Sequence, residues 1–182
     1  CAQCGFGSGR GLVAPLALVV AGFTMGTRLS ITTDSPLAAL YKERFFAVNE
    51  TDDIAVSYAL DGMQLRLIRN ELLEKLENKG QLSALLFAIK NGWECRKITG
   101  MSILDLMKSA LVFRKDGLSA TQTIMSANAP VLYTKTWVDG KPDEGALPGG
   151  QIAAAIDKLE SCDDVIRDIM SEANERLAAL RG

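Results

Sequence analysis

Hydrophobic and polar positions fall into three regimes along the chain. The first is an apolar run, Leu12 to Phe23, twelve residues without a charge, set between glycine-rich stretches. "SGRGLVAPLALVV" predicts a short helix opened by Ser8, whose hydroxyl can accept from an early N–H. Ala21 to Met25, "AGFTM", predicts a short strand buried on both faces, as parallel strands are. A helix leading into such a strand is what a crossover between parallel strands requires. Residues 1 to about 33 therefore read as loop, helix, strand and loop.

From 34 to about 128 the spacing is mainly helical. "TDSPLAALYKERFFAV" offers Asp34 or Ser35 as cap and Pro36 as first helical residue, with Leu37, Leu40, Tyr41 and Phe45 on one face. "MQLRLIRNELLEKLENKG" carries Leu65, Ile68, Leu72 and Leu76 as an apolar stripe ended by Gly80. "QLSALLFAIKNG" and "MSILDLMKSALVFRKDG" repeat the pattern, with stops expected at Gly92 and Gly117. These stripes are assigned to the core. "VLYTKTWV" is β-branched and aromatic, so a strand or extended segment is expected there. Asp139 to Gly150 is loop-rich. The third regime is the amphipathic tail, where Ser161 with Asp164 three residues on marks a helix start. Two helices with a break near 160 are expected, and there is no internal repeat.

Composition narrows the chemistry. The 182 residues fit one domain, and 48% hydrophobic content suffices for a core. A net charge of -2 draws neither nucleic acid nor an anionic membrane surface. The apolar run is short of the roughly 20 residues that a membrane span needs. With no histidine in the sequence, a Ser-His-Asp or Cys-His centre cannot be assembled from it. Cys1 and Cys4 form a CxxC, half of a zinc site, but Cys95 and Cys162 are not a second pair. Reduced thiols and a cytoplasmic location are expected. Asp52-Asp53, Asp143-Glu144 and Asp163-Asp164 are adjacent acids that do not converge on a helix, which suits capping and solvation. Trp93 and Trp137 have two readings, a substrate mouth or packing, with packing favoured.

Two glycine turns remain, "CGFGSG" and "MGT", each following a candidate strand and leading toward a helix. Backbone N–H groups at such turns make an anion site, and β/α barrels place phosphate on the loops after their last two strands. There is no Walker Gly-Lys-Ser/Thr and no well-placed G-x-G-x-x-G. The run Ala2 to Leu29 resembles, without a gap, a segment of the nitronate monooxygenases (the 2-nitropropane dioxygenase family). Gly5, Gly9, Arg10, Gly11, Leu12, Leu16, Leu18, Gly22, Met25, Gly26, Thr27 and Arg28 stand at the family's positions. The resemblance continues in "RLIRNELLEKLE" and returns in "PGGQIAAAIDKLESCDDVIRDIMSEANERL". Five residues depart from the pattern: Cys4 for Gly, Ser8 for Asp, Val19-Val20 for Gly-Ala, and Thr24 for Gln.

The resemblance implies an α/β fold, the C-terminal part of an FMN-binding (β/α)8 TIM barrel followed by a helical domain. Residues 1–48 would hold the last β/α units, 49–150 the added helical domain, and 151–182 helices packing back on the barrel. It implies Gly5, Thr24, Met25, Gly26 and Thr27 as binding residues for FMN, with no metal. The implied enzyme is a flavin-dependent oxidoreductase, oxidising alkyl nitronates with O2. The family's catalytic histidine would lie upstream of residue 1, and an upstream barrel half or a homo-oligomer would complete the site. A flavin-dependent enoyl-thioester reductase of the same fold shares the pattern. A non-catalytic helical interaction module is the reading from a different class.

Overall fold

The computed structural model describes residues 2–3, 5–18 and 21–180. The CxxC cysteines Cys1 and Cys4 and the Val19-Val20 pair lie outside these residues. In chain order the elements are β1 (Ala2–Gln3), α1 (Gly9–Ala17), β2 (Phe23–Thr24), α2 (Thr27–Ser30) and α3 (Ala39–Phe46). A 3-10 turn (Thr51–Asp53) leads into β3 (Ile54–Ser57) and β4 (Leu65–Ile68). Five helices follow: α4 (Glu71–Glu77), α5 (Gln81–Thr99), α6 (Ile103–Lys115), α7 (Ala120–Met125) and α8 (Asn128–Trp137). A 3-10 helix (Gln151–Ala155) precedes α9 (Cys162–Leu180). The chain divides into two units: Cys1–Leu37 with Lys42–Ile54 and Gly149–Gly182, and Ala38–Tyr41 with Ala55–Pro148.

The first unit is built on a parallel pair, β1 with β2, joined through α1. Ser8 caps α1 as expected, its Oγ accepting from Gly11 N–H at 3.2 Å. The strand at Phe23–Thr24 is present but not buried on both faces: Phe23 is half-buried and Thr24 exposed. Helix α1 lies against α9 at very short range, which Gly9 permits. A Cβ there would stand 2.4 Å from Ala173 N and 2.7 Å from Ile169 O. The break before α9 is present, and Ser161 caps that helix, accepting from Asp164 N–H at 3.1 Å.

Helix α3 begins three residues later than its sequence suggests, because its expected cap is engaged elsewhere. The Asp34 carboxylate accepts from Cys162 N–H at 2.6 Å, capping α9 instead. Buried Lys42 then donates from Nζ to the carbonyls of Thr32 and Ser35, each at 2.7 Å. These bonds tie residues 32–35 to each other and to the start of α9.

The second unit is mainly helical around a small sheet of β3 and β4. Here the sequence reading needs three corrections. Leu65 and Ile68 belong to β4 rather than to a helix; α4 starts only at Glu71, where Asn70 accepts from Leu73 N–H at 2.9 Å. Gly92 does not stop α5, which runs to Gly100 in the left-handed conformation. "VLYTKTWV" lies in α8, because its inward positions are Asn128, Val131, Leu132 and Thr136, a helical stripe that counts two polar residues as core. Both polar residues are paired: Asn128 Nδ2 donates to Leu60 O at 2.7 Å and Thr136 Oγ1 to Ala146 O at 2.7 Å. The core gathers Leu60, Leu67, Leu73, Leu76 and Leu132. Not every apolar stripe is core, however. On α5, Leu82, Leu86, Ile89 and Trp93 recur at helical spacing on an exposed face.

Burial pushes the Tyr41 phenol up to about 12, and Tyr133 likewise. Both folded values exceed the unfolded one, so this contribution to stability is complete below about pH 10 and is lost as pH rises toward 12. The urea midpoint is expected to fall across that interval and to fall less steeply in Tyr41→Phe; an unchanged slope refutes the assignment. One substitution should also act with opposite signs at two glycines. At Gly92 a Cβ meets nothing nearer than Ala127 Cβ at 3.9 Å, so Gly92→Ala should stabilise by about 0.5–1 kcal/mol. Gly9→Ala should destabilise by about 1–3 kcal/mol through overpacking. Thermal unfolding of both variants checks this, and equal signs would refute it.

Candidate functional site

The site is defined by where two strands end. The pair is in register Ala2 with Phe23 and Gln3 with Thr24. Gly5 and Gly26 each follow the last paired residue by two positions, so both turns open at the C-terminal edge of adjacent parallel strands. That edge is where α/β folds bind ligands, because strand ends and helix starts present unpaired N–H groups there. Gly5 has φ +77°, a conformation that suits glycine. Gly5 and Gly26 are exposed, and among the described residues beyond their chain neighbours no atom lies within 4 Å of a Cβ built on either. The backbone of both turns is thus open to close approach.

The five residues drawn from the sequence have different surroundings. Thr24 is exposed, while Met25 and Thr27 are half-buried. Thr27 Oγ1 accepts from Gly150 N–H at 2.9 Å, which fastens the second turn to the Gly-Gly-Gln segment before the 3-10 helix. A hydroxyl that accepts in this way keeps its own proton to donate. Phe6, in the first turn, packs edge-on against Phe23 of β2 with ring centroids 5.6 Å apart.

The Gly9-Arg10-Gly11 run has a structural role. Gly9 N–H donates to Glu172 Oε2 at 2.7 Å, and Arg10 Nε pairs with Glu172 Oε1 at 3.1 Å. Gly11 lets Phe6 lie over the first turn of α1, where a Cβ would be 3.2 Å from its ring. Early N–H groups of α1 are therefore taken by Glu172 and Ser8.

Arg28 is the residue that sequence reasoning aligned without giving a role. It is buried and pairs with Glu160 at 2.5 Å, and Glu160 also meets Lys158 at 2.5 Å. Its Nη1 is buried with no partner among the described residues. Its Cγ lies 3.7 Å from a Cβ built on Gly7, so its stem touches the first turn while its backbone belongs to the second. The signal was available: an arginine directly after a glycine turn, followed by an acid far along the chain. What spacing cannot reveal is the burial.

The adjacent acids serve local structure. Asp53 accepts from Asn49 and Glu50 N–H, and Asp163 and Asp164 both pair with Arg167. Glu144 meets Lys141. Trp137 stacks on Tyr133 at 4.7 Å, whereas Trp93 is exposed. Among the described residues no cluster of three or more acids and cysteines could hold a metal, and no helix is long and apolar enough to cross a membrane.

A nitronate monooxygenase family model matches residues 1–172. The chain belongs to the nitronate monooxygenase family. Two curated relatives share the name (3aS,4S,5R,7aS)-5-hydroxy-7a-methyl-1-oxo-octahydro-1H-indene-4-carboxyl-CoA dehydrogenase. The one from Rhodococcus jostii (strain RHA1) is 36% identical over 177 residues, covering 97% of this chain and 50% of that protein. The one from Mycobacterium tuberculosis (strain ATCC 25618 / H37Rv) is 35% identical over 170 residues, covering 93% and 48%. The chain thus spans about half the length of these relatives. In fold it is similar to FabK from Thermotoga maritima, with TM-score 0.66, 22% identity, and 99% of this chain and 45% of that chain covered. A nitroalkane oxidase from Streptomyces ansochromogenes gives TM-score 0.64 at 15% identity, over 98% and 40%. At those identities the likeness speaks to the α/β fold alone.

The Thr27 bond gives a direct check. Thr27→Val removes the acceptor for Gly150 N–H and should cost about 1 kcal/mol, whereas Thr27→Ser keeps it. Urea unfolding of the two variants measures the difference, and equal midpoints would remove the bond from the account.

Proposed function

We propose that this chain supplies the phosphate-binding end of an FMN-dependent oxidoreductase, with β1 and β2 as the last two strands of a (β/α)8 barrel. The observation that carries the reading is the register of β1 and β2, which opens the Gly5 and Gly26 turns at one edge. Paired glycine turns at that edge suit the phosphate of a mononucleotide. The residues present fit the group. Among the described residues, no neighbouring atom crowds the position of a Cβ at Gly5 or Gly26. Thr27 retains a proton to donate, and Arg28, next in the chain, has a buried Nη1 with no partner among the described residues.

In this reading the N–H groups of Gly5, Gly26 and Thr27 would hold the phosphate, with the Thr27 hydroxyl as a further donor. Thr24 and Met25 line the approach. Where the family pattern has Gln, Thr24 gives a shorter side chain on an exposed strand end, so the turn backbone carries more of the binding. Bound FMN supplies two-electron redox chemistry that no side chain can provide. The chain's own contribution is to fix the cofactor's phosphate end and to balance charge through Arg28 and Glu160. The segments 1–48, 49–150 and 151–182 divide the work in this proposal into barrel end, added helical domain and returning helices.

Two substrate classes follow. Oxidation of alkyl nitronates by O2 is the activity for which the family is named. Oxidation of a CoA thioester is favoured by a separate observation: both curated relatives, at 36% and 35% identity, are named as dehydrogenases of a bicyclic carboxyl-CoA. An upstream barrel half or a second copy would complete either active site.

An FMN titration followed by flavin fluorescence tests the first step. Saturable quenching by the full-length protein, weakened at least about tenfold in Gly26→Glu because a carboxylate repels and blocks the phosphate, is the expected result. Binding indifferent to Gly26→Glu would remove the phosphate from this edge. Anaerobic bleaching of the flavin-loaded protein then separates the substrates: by an alkyl nitronate, by the bicyclic carboxyl-CoA, or by neither, which would refute both assignments.

A further inference from the structure

The helical unit contains a half-open cavity of about 390 Å³ lined by α5, α6, α7 and the start of α8, with Ile89, Phe113 and Ile124 at its exposed rim. Among the described residues no Asp, Glu, Lys or Arg lines it. Three of its hydroxyls are already engaged with backbone carbonyls: Thr99 with Cys95 O at 2.8 Å, Thr123 with Ser119 O at 2.9 Å, and Ser126 with Thr123 O at 2.7 Å. The remaining wall is largely aliphatic and aromatic, with the buried Cys95 thiol at one side. A cavity of this kind offers no counter-charge to a phosphate, carboxylate or ammonium, and burying such a group unpaired is costly.

We propose that this cavity is a binding site for a small, uncharged, largely hydrocarbon molecule of two or three fused or linked rings. Size sets the upper bound: an apolar cavity of roughly 150 Å³ takes one benzene, so the space here takes two to three rings. Charge sets the class, since nothing in the wall answers an ionic group. The walls set the location: Gly92 on α5 and Ala110 on α6 present no bulk where a larger side chain would fill the space. Because the whole cavity lies in the helical unit, the proposal stands independently of the flavin reading.

Two dyes with the same ring system and different charge provide the test. N-phenyl-1-naphthylamine is neutral, and 8-anilino-1-naphthalenesulfonate adds one sulfonate. The full-length protein should bind the neutral dye saturably, one per chain, with displacement by 1-indanone and at least about tenfold weaker binding of the sulfonate. Gly92→Leu and Ala110→Leu should each weaken the neutral dye at least tenfold while far-UV circular dichroism stays unchanged, filling the space that the dye requires. Where both variants fail to fold, wild type still decides. Saturating 1-indanone should slow modification of Cys95 by methyl methanethiosulfonate about threefold or more, read by peptide mass spectrometry, and leave Cys162 unaffected. Non-saturable dye uptake, equal affinity for both dyes, indifference of folded variants, or unprotected Cys95 would each overturn the proposal.

Discussion

The first unit depends on how closely α1 approaches α9. With a hydrogen as its side chain, Gly9 brings the two backbones to a separation at which a methyl group would stand 2.4 Å from Ala173 N. At that range the Glu172 carboxylate reaches the N–H of Gly9 and the guanidinium of Arg10 together. The contact links residues 163 positions apart. It also fixes where α1 begins, and hence where the turn from Gly5 to Ser8 must end. Placing a carboxylate at a helix N-terminus is favourable because it satisfies an unpaired donor and opposes the helix dipole.

That choice has a consequence for anion binding. A helix start already holding Glu172 is a poorer receptor for a phosphate than a bare one, since the two negative charges repel. The second turn differs. The residue that follows it, Arg28, is a buried cation whose charge is balanced by Glu160, 132 positions along the chain. Buried ion pairs add little net stability, since desolvation offsets the attraction, but losing one partner is costly. The pair is therefore better understood as holding the Met25-Gly26-Thr27 turn in place than as a source of stability.

Local signals were legible in the sequence and long-range ones were not. Ser8 and the Ser161–Asp164 pair mark their helix starts because the cap and the N–H it accepts lie within three residues. Gly117 ends α6 for an equally local reason, its φ of +92°. Asp34 misled because its carboxylate is spent on Cys162, 128 residues away. The α8 segment misled because β-branched residues suggest a strand, while the burial of Asn128 and Thr136 follows from partners at Leu60 and Ala146 that no window contains. For the candidate site, the glycines were visible from the pattern and the resemblance. Their juxtaposition followed only from the resemblance, because it rests on two-residue strands whose register the fold defines.

The same reasoning limits what the glycine edge can say about chemistry. A phosphate grip made of backbone N–H groups recognises one end of a nucleotide and is indifferent to what reacts at the other. Gly5, Gly26 and Thr27 would serve a nitronate oxidase and a thioester dehydrogenase equally well, and a shared fold does not choose between them. Selectivity must come from side chains that meet the substrate. The apolar cavity of the second unit is a separate matter: its walls favour uncharged rings, and that preference is read from the helical unit by itself.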